Sequence, residues 1–258
     1  MQLLAKELVG SLTDRLKTDR KKIKHQPGLA LIWVGENPQT AAFIRAKQRL
    51  AKELGCDFSL HHFPPGAPLR QLAALIEGLS AKKEIDGIVL QLPLPAKLPT
   101  NRLIDLIEPA KDIDGLTTDS PFPAPTATGI VALLQYHQIA IEKRKTVIIG
   151  TGRLVGEPLA KIWRQNGWSQ VLVVKDAARE NAKIRQADLL IAATGVPGLV
   201  EAKMVHQKMV VVDGSGVDVA VELIEPLVEA VTPARGAIGP LTVRYLFANL
   251  LRAASLND

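Results

Sequence analysis

Three glycines that follow an apolar run have the residue types and spacing of a nucleotide site. The run Val147–Ile149 has the β-branched composition of a strand that is covered on both faces. Gly150, Gly152 and Gly156 follow with the spacing G-x-G-x-x-x-G, one residue longer than the usual dinucleotide fingerprint. Glycines let the chain turn sharply and let a ligand approach the backbone, and the helix that follows would present free N–H groups to an anion. The stretch therefore predicts a nucleotide site, with an ordinary strand-to-helix turn as the alternative.

A second set of polar residues follows the predicted strands of the first half of the chain. Asn37 follows the apolar strand over residues 29–34, and Gln91 ends the next predicted buried strand. The run Lys111–Gly115 lies in a long segment rich in Pro, Asp and Thr. Ligands of open α/β sheets bind at the carboxyl ends of the strands. We therefore expect a cleft between the two halves of the chain to collect these residues.

Predicted strands and helices alternate along the chain. This alternation is typical of parallel sheets with helices on both faces. It divides the chain into two βα blocks, residues 1–118 and 119–239, followed by a terminal helix. The predicted strands span residues 29–34, 57–63, 86–91, 146–149, 170–174, 188–192 and 209–212. The predicted helices span residues 3–20, 40–54, 68–80, 100–107, 129–137, 155–166, 179–186 and 241–254.

The composition is that of a soluble globular protein, with 47% hydrophobic and 22% charged residues. No window approaches the roughly 20 consecutive apolar residues of a membrane span. The first residues lack the apolar core of a signal peptide, and the single cysteine, Cys56, allows no intrachain disulfide. We therefore expect a cytoplasmic protein without a membrane partner.

The chain is basic, with a formal charge of +6. Much of the excess lies in residues 15–25, which could contact nucleic acid or form the solvated end of the first helix. No aromatic residues are interleaved to stack on bases, so we favour the solvated helix end and expect no nucleic-acid partner. A basic chain also suits an anionic small ligand, such as a phosphate or a polycarboxylate.

Sequence motifs that occur in a fixed order over nearly the whole chain identify a family. Two of them, Gln91-Leu92-Pro93-Leu94-Pro95 and Lys111-Asp112-Ile113-Asp114-Gly115, are specific. The others are Val34-Gly35-x-Asn37-Pro38, Lys47, Thr128-Gly129-Ile130-Val131, Val147-Ile148-Ile149-Gly150, Val155-Gly156-x-Pro158, Ala187-Asp188-Leu189-Leu190, Gly195-x-Pro197-Gly198, Thr232-Pro233 and Gly239-Pro240-Leu241-Thr242-Val243. In these residues the chain resembles the methylenetetrahydrofolate dehydrogenase/cyclohydrolase (FolD) family.

The resemblance implies two α/β domains that flank a cleft. Residues 1–118 plus 241–258 would form the folate and catalytic domain, and residues 119–240 a Rossmann domain that binds the cofactor. The family oxidises 5,10-methylenetetrahydrofolate to the methenyl form with a nicotinamide cofactor and hydrolyses the product to 10-formyltetrahydrofolate. The resemblance also implies a homodimer that forms through the cofactor domain. No metal site is predicted.

Three residues match catalytic positions of the family. Lys47 matches its lysine, which acts in acid–base chemistry if desolvation lowers its pKa. Gln91 matches the glutamine that hydrogen-bonds this lysine, and Asp114 matches the aspartate that accepts hydrogen bonds from the pterin. Without the resemblance, Lys47 reads as a solvated helix lysine and Asp114 as a turn former.

The expected folate-binding residues include one departure from the family pattern. Phe43 stands where the family has a tyrosine, so the ring that stacks on folate is kept and the hydroxyl is lost. If that hydroxyl positions water, the hydrolysis is the step affected. Thr40 replaces a serine and keeps a hydroxyl. Pro240, Leu241 and Thr242 resemble the folate-side loop of the family.

The cofactor-binding turn departs more strongly from the family. Thr151 and Gly152 replace the family's Arg-Ser, which removes an arginine that can bind a 2′-phosphate. Arg153, Lys175 or Arg179 could replace it and select NADP, whereas Asp176 could hold the free ribose of NAD. We expect NADP, with NAD as the alternative. The expected cofactor-binding residues are Gly150, Thr151, Gly152, Arg153, Val155, Lys175, Asp176, Thr194 and Gly195.

Two further loops differ from the family, over residues 212–216 and 232–237. Three hypotheses therefore remain at this point. The first is a dehydrogenase with cyclohydrolase activity, the second is a dehydrogenase alone, and the third is a non-catalytic relative that binds folate, nucleotide or a protein. Retention of Lys47, Gln91 and Asp114 argues against the third.

Overall fold

The structure of the protein, a computed structural model, describes residues 1–168 and 171–258 and divides into two compact units. The Lys47 unit comprises Leu12–Pro123 and Val243–Asp258, and the glycine-turn unit comprises Met1–Ser11 and Ala124–Thr242. Each unit contains a parallel sheet and helices, so the predicted α/β class is confirmed.

The Lys47 unit contains a three-stranded sheet whose central strand is β1, Gly28–Val34. It pairs in parallel with β2, Asp57–Phe63, and with β3, Gly87–Leu90. Every residue of β1 except Trp33 is buried, as expected for a parallel strand that is covered on both faces. Helices α2 Pro38–Leu54, α3 Leu69–Ala81 and α4 Thr100–Ile104 lie in this unit, and so does most of α1, Lys6–Arg20.

The glycine-turn unit contains a five-stranded parallel sheet of order β5-β4-β6-β7-β8. Its strands are β4 Thr146–Ile149, β5 Val171–Val174, β6 Leu189–Ala192, β7 Val210–Asp213 and β8 Ala230–Val231. The remaining helices are α5 Pro125–Tyr136, α6 Gly156–Gln165, α7 Asn181–Ile184, α8 Val221–Ile224 and α9 Ile238–Leu256, the last of which continues into the Lys47 unit. From β4 the chain runs to β5, the neighbour on one side of β4, and then to β6, the neighbour on the other side of β4. Because the strand order reverses at β4, the turn after β4 lies where open sheets bind ligands.

The first helix begins three residues later than predicted. Residues before α1 are extended, since the N–H of Leu3 bonds to the carbonyl of Val231 at 2.8 Å. Successive side chains of an extended segment point to opposite sides. Leu3 and Ala5 are therefore buried, whereas Leu4 is 56% exposed. The predicted start of this helix, which included Leu4 in the helical repeat, was wrong because pairing with β8 overrides the local pattern.

Other element ends also differ from the predictions. Helices α5 and α9 begin at Pro125 and Ile238, earlier than predicted, whereas α4 ends early at Ile104. Residue 170, the first of the predicted strand over 170–174, lies outside the described residues. The short elements β8 and α8 were not predicted, because two and four residues show no periodicity. Among helices in the described ranges, none has the length and apolarity needed to cross a membrane.

The chain end packs against a buried carboxylate of the Lys47 unit. Asp86 is fully buried and accepts hydrogen bonds from the N–H of Gly28 at 2.9 Å and from Asn257 Nδ2 at 2.8 Å. His25 bridges two carboxylates, with Nε2 3.0 Å from Asp86 Oδ2 and Nδ1 2.8 Å from Asp258 Oδ1. The hydrogen bond to Asp258 raises the pKa of His25, and burial opposes this shift. This cluster ties the end of α9 to the start of β1.

The basic run over residues 15–25 is paired with acidic side chains at several positions. Lys17 Nζ lies 2.8 Å from a carboxylate oxygen of Glu53, and Lys22 Nζ lies 2.7 Å from Asp19. These groups are largely exposed, so each pair contributes little stability. Residues 15–25 thus form the end of α1 and the turn after it, and several of their charges are paired with acidic side chains.

Candidate active site

Helix α2 carries the candidate lysine, and local sequence defines both of its ends. The Oδ1 atom of Asn37 caps the helix by accepting two N–H groups of the first turn at 2.8 and 3.3 Å. Pro38 occupies the first helical position, where the missing N–H is not needed. Gly55 ends the helix with a φ of 65°, in the left-handed region that favours glycine. These caps fix the two ends of the helix that carries Lys47.

Lys47 lies on the buried face of α2, with 3% of its surface exposed. Its Nζ donates a hydrogen bond of 2.9 Å to Oε1 of Gln91 and lies 5.0 Å from the centroid of the Phe43 ring. The Gln91 amide is held in turn, because its Nε2 donates to the carbonyl of Leu92 at 2.9 Å. Burial lowers the pKa of Lys47, and the negative charge of Asp114 opposes the shift. Such a lysine releases its proton at a lower pH than a surface lysine, which suits general base catalysis.

Asp114 is half-buried and interacts electrostatically with Lys47. Burial raises the pKa of Asp114, Lys47 opposes the shift, and the charge of Asp112 adds to it. Asp112 is fully buried, and its Oδ2 accepts the N–H of Thr117 at 2.6 Å and the Thr117 hydroxyl at 2.8 Å. Asp112 therefore holds the loop that carries Asp114.

The structure brings together the three residues predicted to be catalytic. Lys47 touches Gln91 directly and is coupled to Asp114 by charge. Phe43 precedes Lys47 by one helical turn, so both side chains lie on one face of α2. Thr40 lies in the first turn of the same helix, with its N–H bonded to Asn37. The catalytic and folate-binding roles of these residues stay predictions.

The predicted folate-side loop over residues 239–242 is helical instead. Helix α9 begins at Ile238, and the Thr242 hydroxyl donates to the Ile238 carbonyl at 2.9 Å within its first turn. Leu241 is fully buried, and a Cβ added to Gly129 would lie 3.1 Å from Leu241 Cβ. Leu241, near the start of α9, therefore packs closely on α5. Contact of Pro240, Leu241 and Thr242 with folate stays a prediction.

The glycine turn after β4 depends on two glycines that admit no side chain. Gly150 has a φ of 108°, and its added Cβ would lie 2.6 Å from the Ala193 carbonyl oxygen. A Cβ on Gly156 would lie 2.0 Å from the carbonyl oxygen of Gly150. At Gly152, in contrast, an added Cβ would meet nothing within 4 Å. The turn is therefore tightly packed on the protein side and open at Thr151 and Gly152, which are exposed.

The N-terminus of α6 is partly used by the turn itself. The Gly152 carbonyl accepts the N–H of Glu157 at 3.1 Å and that of Val155 at 3.3 Å. The prediction that the first N–H groups of this helix are free was therefore wrong for Glu157. Arg153 and Val155 are half-buried beside the turn.

The loop after β5 presents charged side chains near the same end of the sheet. The Gly150 N–H bonds to the Val174 carbonyl at 2.9 Å, which joins the ends of β4 and β5. Lys175 and Asp176 follow directly and are exposed. Asp176 Oδ1 accepts two loop N–H groups at 3.1 and 3.2 Å, and its Oδ2 lies 3.2 Å from Arg179 Nε. Two positive side chains and one paired carboxylate thus lie beside the glycine turn.

The loop after β6 completes this end of the sheet. Thr194 and Gly195 are exposed, and Gly195 has a φ of 75°. Both Thr194 and Val196 are hydrogen-bonded to the carboxylate of Asp218. The predicted cofactor residues therefore lie at the carboxyl ends of the three neighbouring strands β5, β4 and β6.

A nicotinamide dinucleotide fits this edge of the sheet. The open backbone at Gly152 allows close approach of a pyrophosphate, as the glycine turn of a dinucleotide site requires. Lys175 and Arg179 supply positive charge for a phosphate, and Thr194 and Gly195 provide an exposed loop on the other side of β4. Their individual contacts with a cofactor stay predictions.

Two carboxylates that organise this site were missed by the sequence analysis. Asp213 and Asp218 are 3% and 0% exposed, and both accept several hydrogen bonds from backbone N–H groups. They flank the altered Gly214–Gly216 segment. An aspartate between two valines, as at residues 217–219, departs from a buried apolar pattern and could have indicated a buried polar role.

Family models match both halves of the chain. Residues 2–114 match the catalytic domain of tetrahydrofolate dehydrogenase/cyclohydrolase, and residues 124–258 match its NAD(P)-binding domain. The chain belongs to this family. As a member it is a bifunctional dehydrogenase and cyclohydrolase of tetrahydrofolate one-carbon metabolism, and the family predicted from the motifs is confirmed.

Individual relatives agree with this family. A "Bifunctional protein FolD" from Maridesulfovibrio salexigens is 34% identical over 279 residues, which cover 98% of each chain. The solved FolD from Campylobacter jejuni is 28% identical with a TM-score of 0.88 and covers 100% of this chain and 99% of its own. The FolD of Trypanosoma brucei, complexed with NADP and an inhibitor, is 22% identical with a TM-score of 0.90 and covers 99% of this chain and 97% of its own. The last of these shows a shared fold, including the Rossmann-type domain.

Proposed function

We propose that this enzyme oxidises 5,10-methylenetetrahydrofolate to 5,10-methenyltetrahydrofolate with NADP and then hydrolyses the product to 10-formyltetrahydrofolate. The observation that carries the proposal is the buried hydrogen bond from Lys47 to Gln91, beside Asp114, in a chain of this family. In the proposal, residues 1–118 plus 241–258 bind folate and perform catalysis, and residues 119–240 bind the cofactor.

The oxidation depends on positioning more than on acid–base groups. The bound nicotinamide would supply the acceptor for a hydride from the methylene carbon of the folate. The chain must hold the two reacting carbons close and aligned. Asp114 would bind the amino and ring N–H groups of the pterin, and the Phe43 ring would stack on it. The glycine turn and the Thr194–Gly195 loop would hold the dinucleotide.

NADP is preferred over NAD because of the charges beside the glycine turn. Lys175 and Arg179 suit a 2′-phosphate, and the Asp176 carboxylate is already paired with Arg179 at 3.2 Å. The NADP complex of the Trypanosoma brucei relative supports the same choice. The alternative is NAD, in which Asp176 would leave Arg179 and accept the ribose 2′-hydroxyl.

The hydrolysis uses Lys47 as the proton carrier. Water adds to the cationic methenyl carbon, and Lys47 takes up the proton that this water loses. The bond from this carbon to N5 then breaks, Lys47 returns its proton to N5, and the hydroxyl of the adduct releases its proton to solvent as it becomes the carbonyl of the formyl group on N10. Gln91 would hold the lysine nitrogen at the reacting carbon, since its Oε1 accepts from Nζ at 2.9 Å. A second candidate function is a dehydrogenase alone, which the missing hydroxyl at Phe43 favours.

The enzyme is also proposed to act as a homodimer through its cofactor-binding domain. Strand β5 lies at the edge of the described five-stranded sheet, and Val171, Leu172 and Val173 are only half-buried. Such an edge suits pairing with a second copy. Light scattering on the purified protein tests the dimer.

A cytoplasmic location is proposed because the only cysteine, Cys56, is buried and forms no disulfide.

The catalytic proposal is tested by mixing purified protein with 5,10-methylenetetrahydrofolate and either NADP or NAD. Reduced cofactor and methenyl absorbance are followed together. The expected result is NADP-dependent appearance of the methenyl signal, followed by decay faster than in buffer. Decay at the buffer rate would leave the dehydrogenase alone, and the absence of any cofactor-dependent signal would refute both activities.

A further inference from the structure

A buried carboxylate holds the loop that follows β6. Asp218 is 0% exposed. Its Oδ2 accepts the N–H of Thr194 at 2.6 Å, and its Oδ1 accepts the Thr194 hydroxyl at 3.0 Å and the N–H of Val196 at 2.8 Å. The partners lie 22 and 24 residues away in the chain, so this aspartate does not simply form its own turn.

Asp218 is itself held by its neighbours. Its backbone carbonyl accepts the N–H of Val200 at 2.9 Å, and the Val217 carbonyl accepts that of Gly198 at 2.9 Å. On the other side, Asp213 Oδ2 accepts the N–H of Val219 at 3.1 Å. The carboxylate of Asp218 is therefore a rigid anchor for residues 194–196.

We propose that Asp218 is a positioning residue for the cofactor, because it fixes the loop that carries Thr194 and Gly195. This inference rests on the proposed NADP site. The carboxylate binds the N–H groups on both sides of Gly195, which holds the exposed glycine in one conformation before the cofactor arrives. A loop that is ordered in advance loses less entropy when it binds a ligand.

Asparagine cannot replace Asp218 without loss. Both carboxylate oxygens accept hydrogen bonds from N–H or O–H groups. An asparagine side chain offers one oxygen and one NH₂ group, so a donor would face the N–H of Thr194 or of Val196. Either orientation breaks at least one bond to the loop.

The test compares Asp218→Asn with Asp188→Asn in the full-length protein. Asp188 also accepts a backbone N–H, from Lys145 at 2.9 Å, but it precedes β6 at the opposite end of the sheet. NADP affinity is measured by calorimetry, together with hydrogen exchange of the backbone amides of residues 194–196 and of Gly198. Because the loop of Asp218→Asn must be ordered when the cofactor binds, we expect this variant to bind NADP roughly tenfold or more weakly.

The kinetic signature is specific to positioning. For Asp218→Asn, the KM for NADP is expected to rise while kcat at saturating NADP and folate binding stay near wild type, and exchange of the backbone amides of residues 194–196 and of Gly198 speeds up. Thr194→Val, which removes the hydroxyl that bonds to Asp218, should also weaken NADP binding, and the double variant should lose less affinity than the sum of the losses in the two single variants. Unchanged NADP affinity in Asp218→Asn, or an equal loss in Asp188→Asn, overturns the inference alone. A wild-type protein that binds no NADP overturns the proposed cofactor as well.

Discussion

Replacement of Lys47 by methionine separates catalysis from stability. Methionine is unbranched and similar in length, so it fills the same buried space on α2 without a charge. The substitution removes the hydrogen bond to Gln91 and the contact with the Phe43 ring. We expect it to abolish the hydrolysis and to leave the binding of folate intact.

The change in stability is small because two effects oppose each other. Leaving Gln91 Oε1 without its donor costs about 1–3 kcal/mol, and loss of the cation–π contact costs about 0.5–2 kcal/mol. Removal of a buried ammonium returns several kcal/mol of desolvation cost. The free energy of unfolding should therefore stay within about 2 kcal/mol of wild type. Loss of a general acid or base lowers a rate by about 10²–10⁴-fold, so the effect on activity is far larger.

The assay follows the decay of methenyltetrahydrofolate in the absence of NADP, alongside thermal unfolding and folate binding. Lys52→Met is the matched control, because Lys52 lies on the exposed face of the same helix. It should hydrolyse the substrate at the wild-type rate and change stability by no more than about 0.5 kcal/mol. Undiminished hydrolysis in Lys47→Met would refute the role assigned to Lys47.

The pH dependence of stability provides a second readout on the same variant. Burial lowers the pKa of Lys47 in the folded state, so the unfolded chain binds the proton more tightly. The full cost of the charged lysine is present below its folded pKa and disappears as pH rises toward the ordinary lysine pKa. Any stability advantage of Lys47→Met over wild type should therefore shrink at alkaline pH. An advantage that is constant with pH would contradict the lowered pKa.

Three further predictions concern the chain end, the glycine turn and the cofactor. The folded pKa of His25 is raised, so its stabilisation is complete below the unfolded pKa of about 6.5 and is lost as pH rises through the folded value. His25→Gln should therefore lower Tm by about 2–4 °C more in acid than in alkali. The control Asn257→Ala removes a bond to Asp86 without removing a titrating group, so it should lower Tm equally at both pH values. Equal pH profiles for the two variants would count against the raised pKa of His25. Gly156→Ala should lower the free energy of unfolding by about 1–3 kcal/mol or more, since its Cβ would meet a carbonyl oxygen at 2.0 Å. Gly152→Ala should fold normally yet bind NADP less tightly. A Gly152→Ala protein that unfolds at a lower temperature than Gly156→Ala would be inconsistent with the packing of the turn. Arg179→Ala should weaken NADP binding about tenfold and spare NAD, measured by calorimetry; an equal loss for both cofactors would remove Arg179 from the 2′-phosphate site.

Much of the fold follows from local sequence because its signals are local. The strand β1 is a continuous apolar run, and such runs are typical of parallel strands covered on both faces. Helix α2 is bounded by Asn37 and Gly55, whose side-chain and backbone properties act within one turn. The alternation of strands and helices was enough to predict parallel sheets, and the ordered motifs were enough to identify the family.

The element ends that were wrong depend on contacts distant in sequence. Leu4 fits a helical repeat, but residues before α1 pair with Val231 instead and become extended. Strand β8 has two residues and exists through its pairing with β7. None of these partners can be read from a local window.

The candidate site shows the same division between sequence and structure. The sequence by itself determined which residues could do chemistry, since Lys47, Gln91, Asp114 and the glycine turn are recognisable by type and spacing. Only the tertiary structure decided their state. The pKa of Lys47 is lowered because packing removes it from water and places it on Gln91, 44 residues away in the chain. Asp218 acquires its role because the fold carries it to Thr194, and burial, charge interactions and hydrogen-bond geometry exist only once distant segments have met.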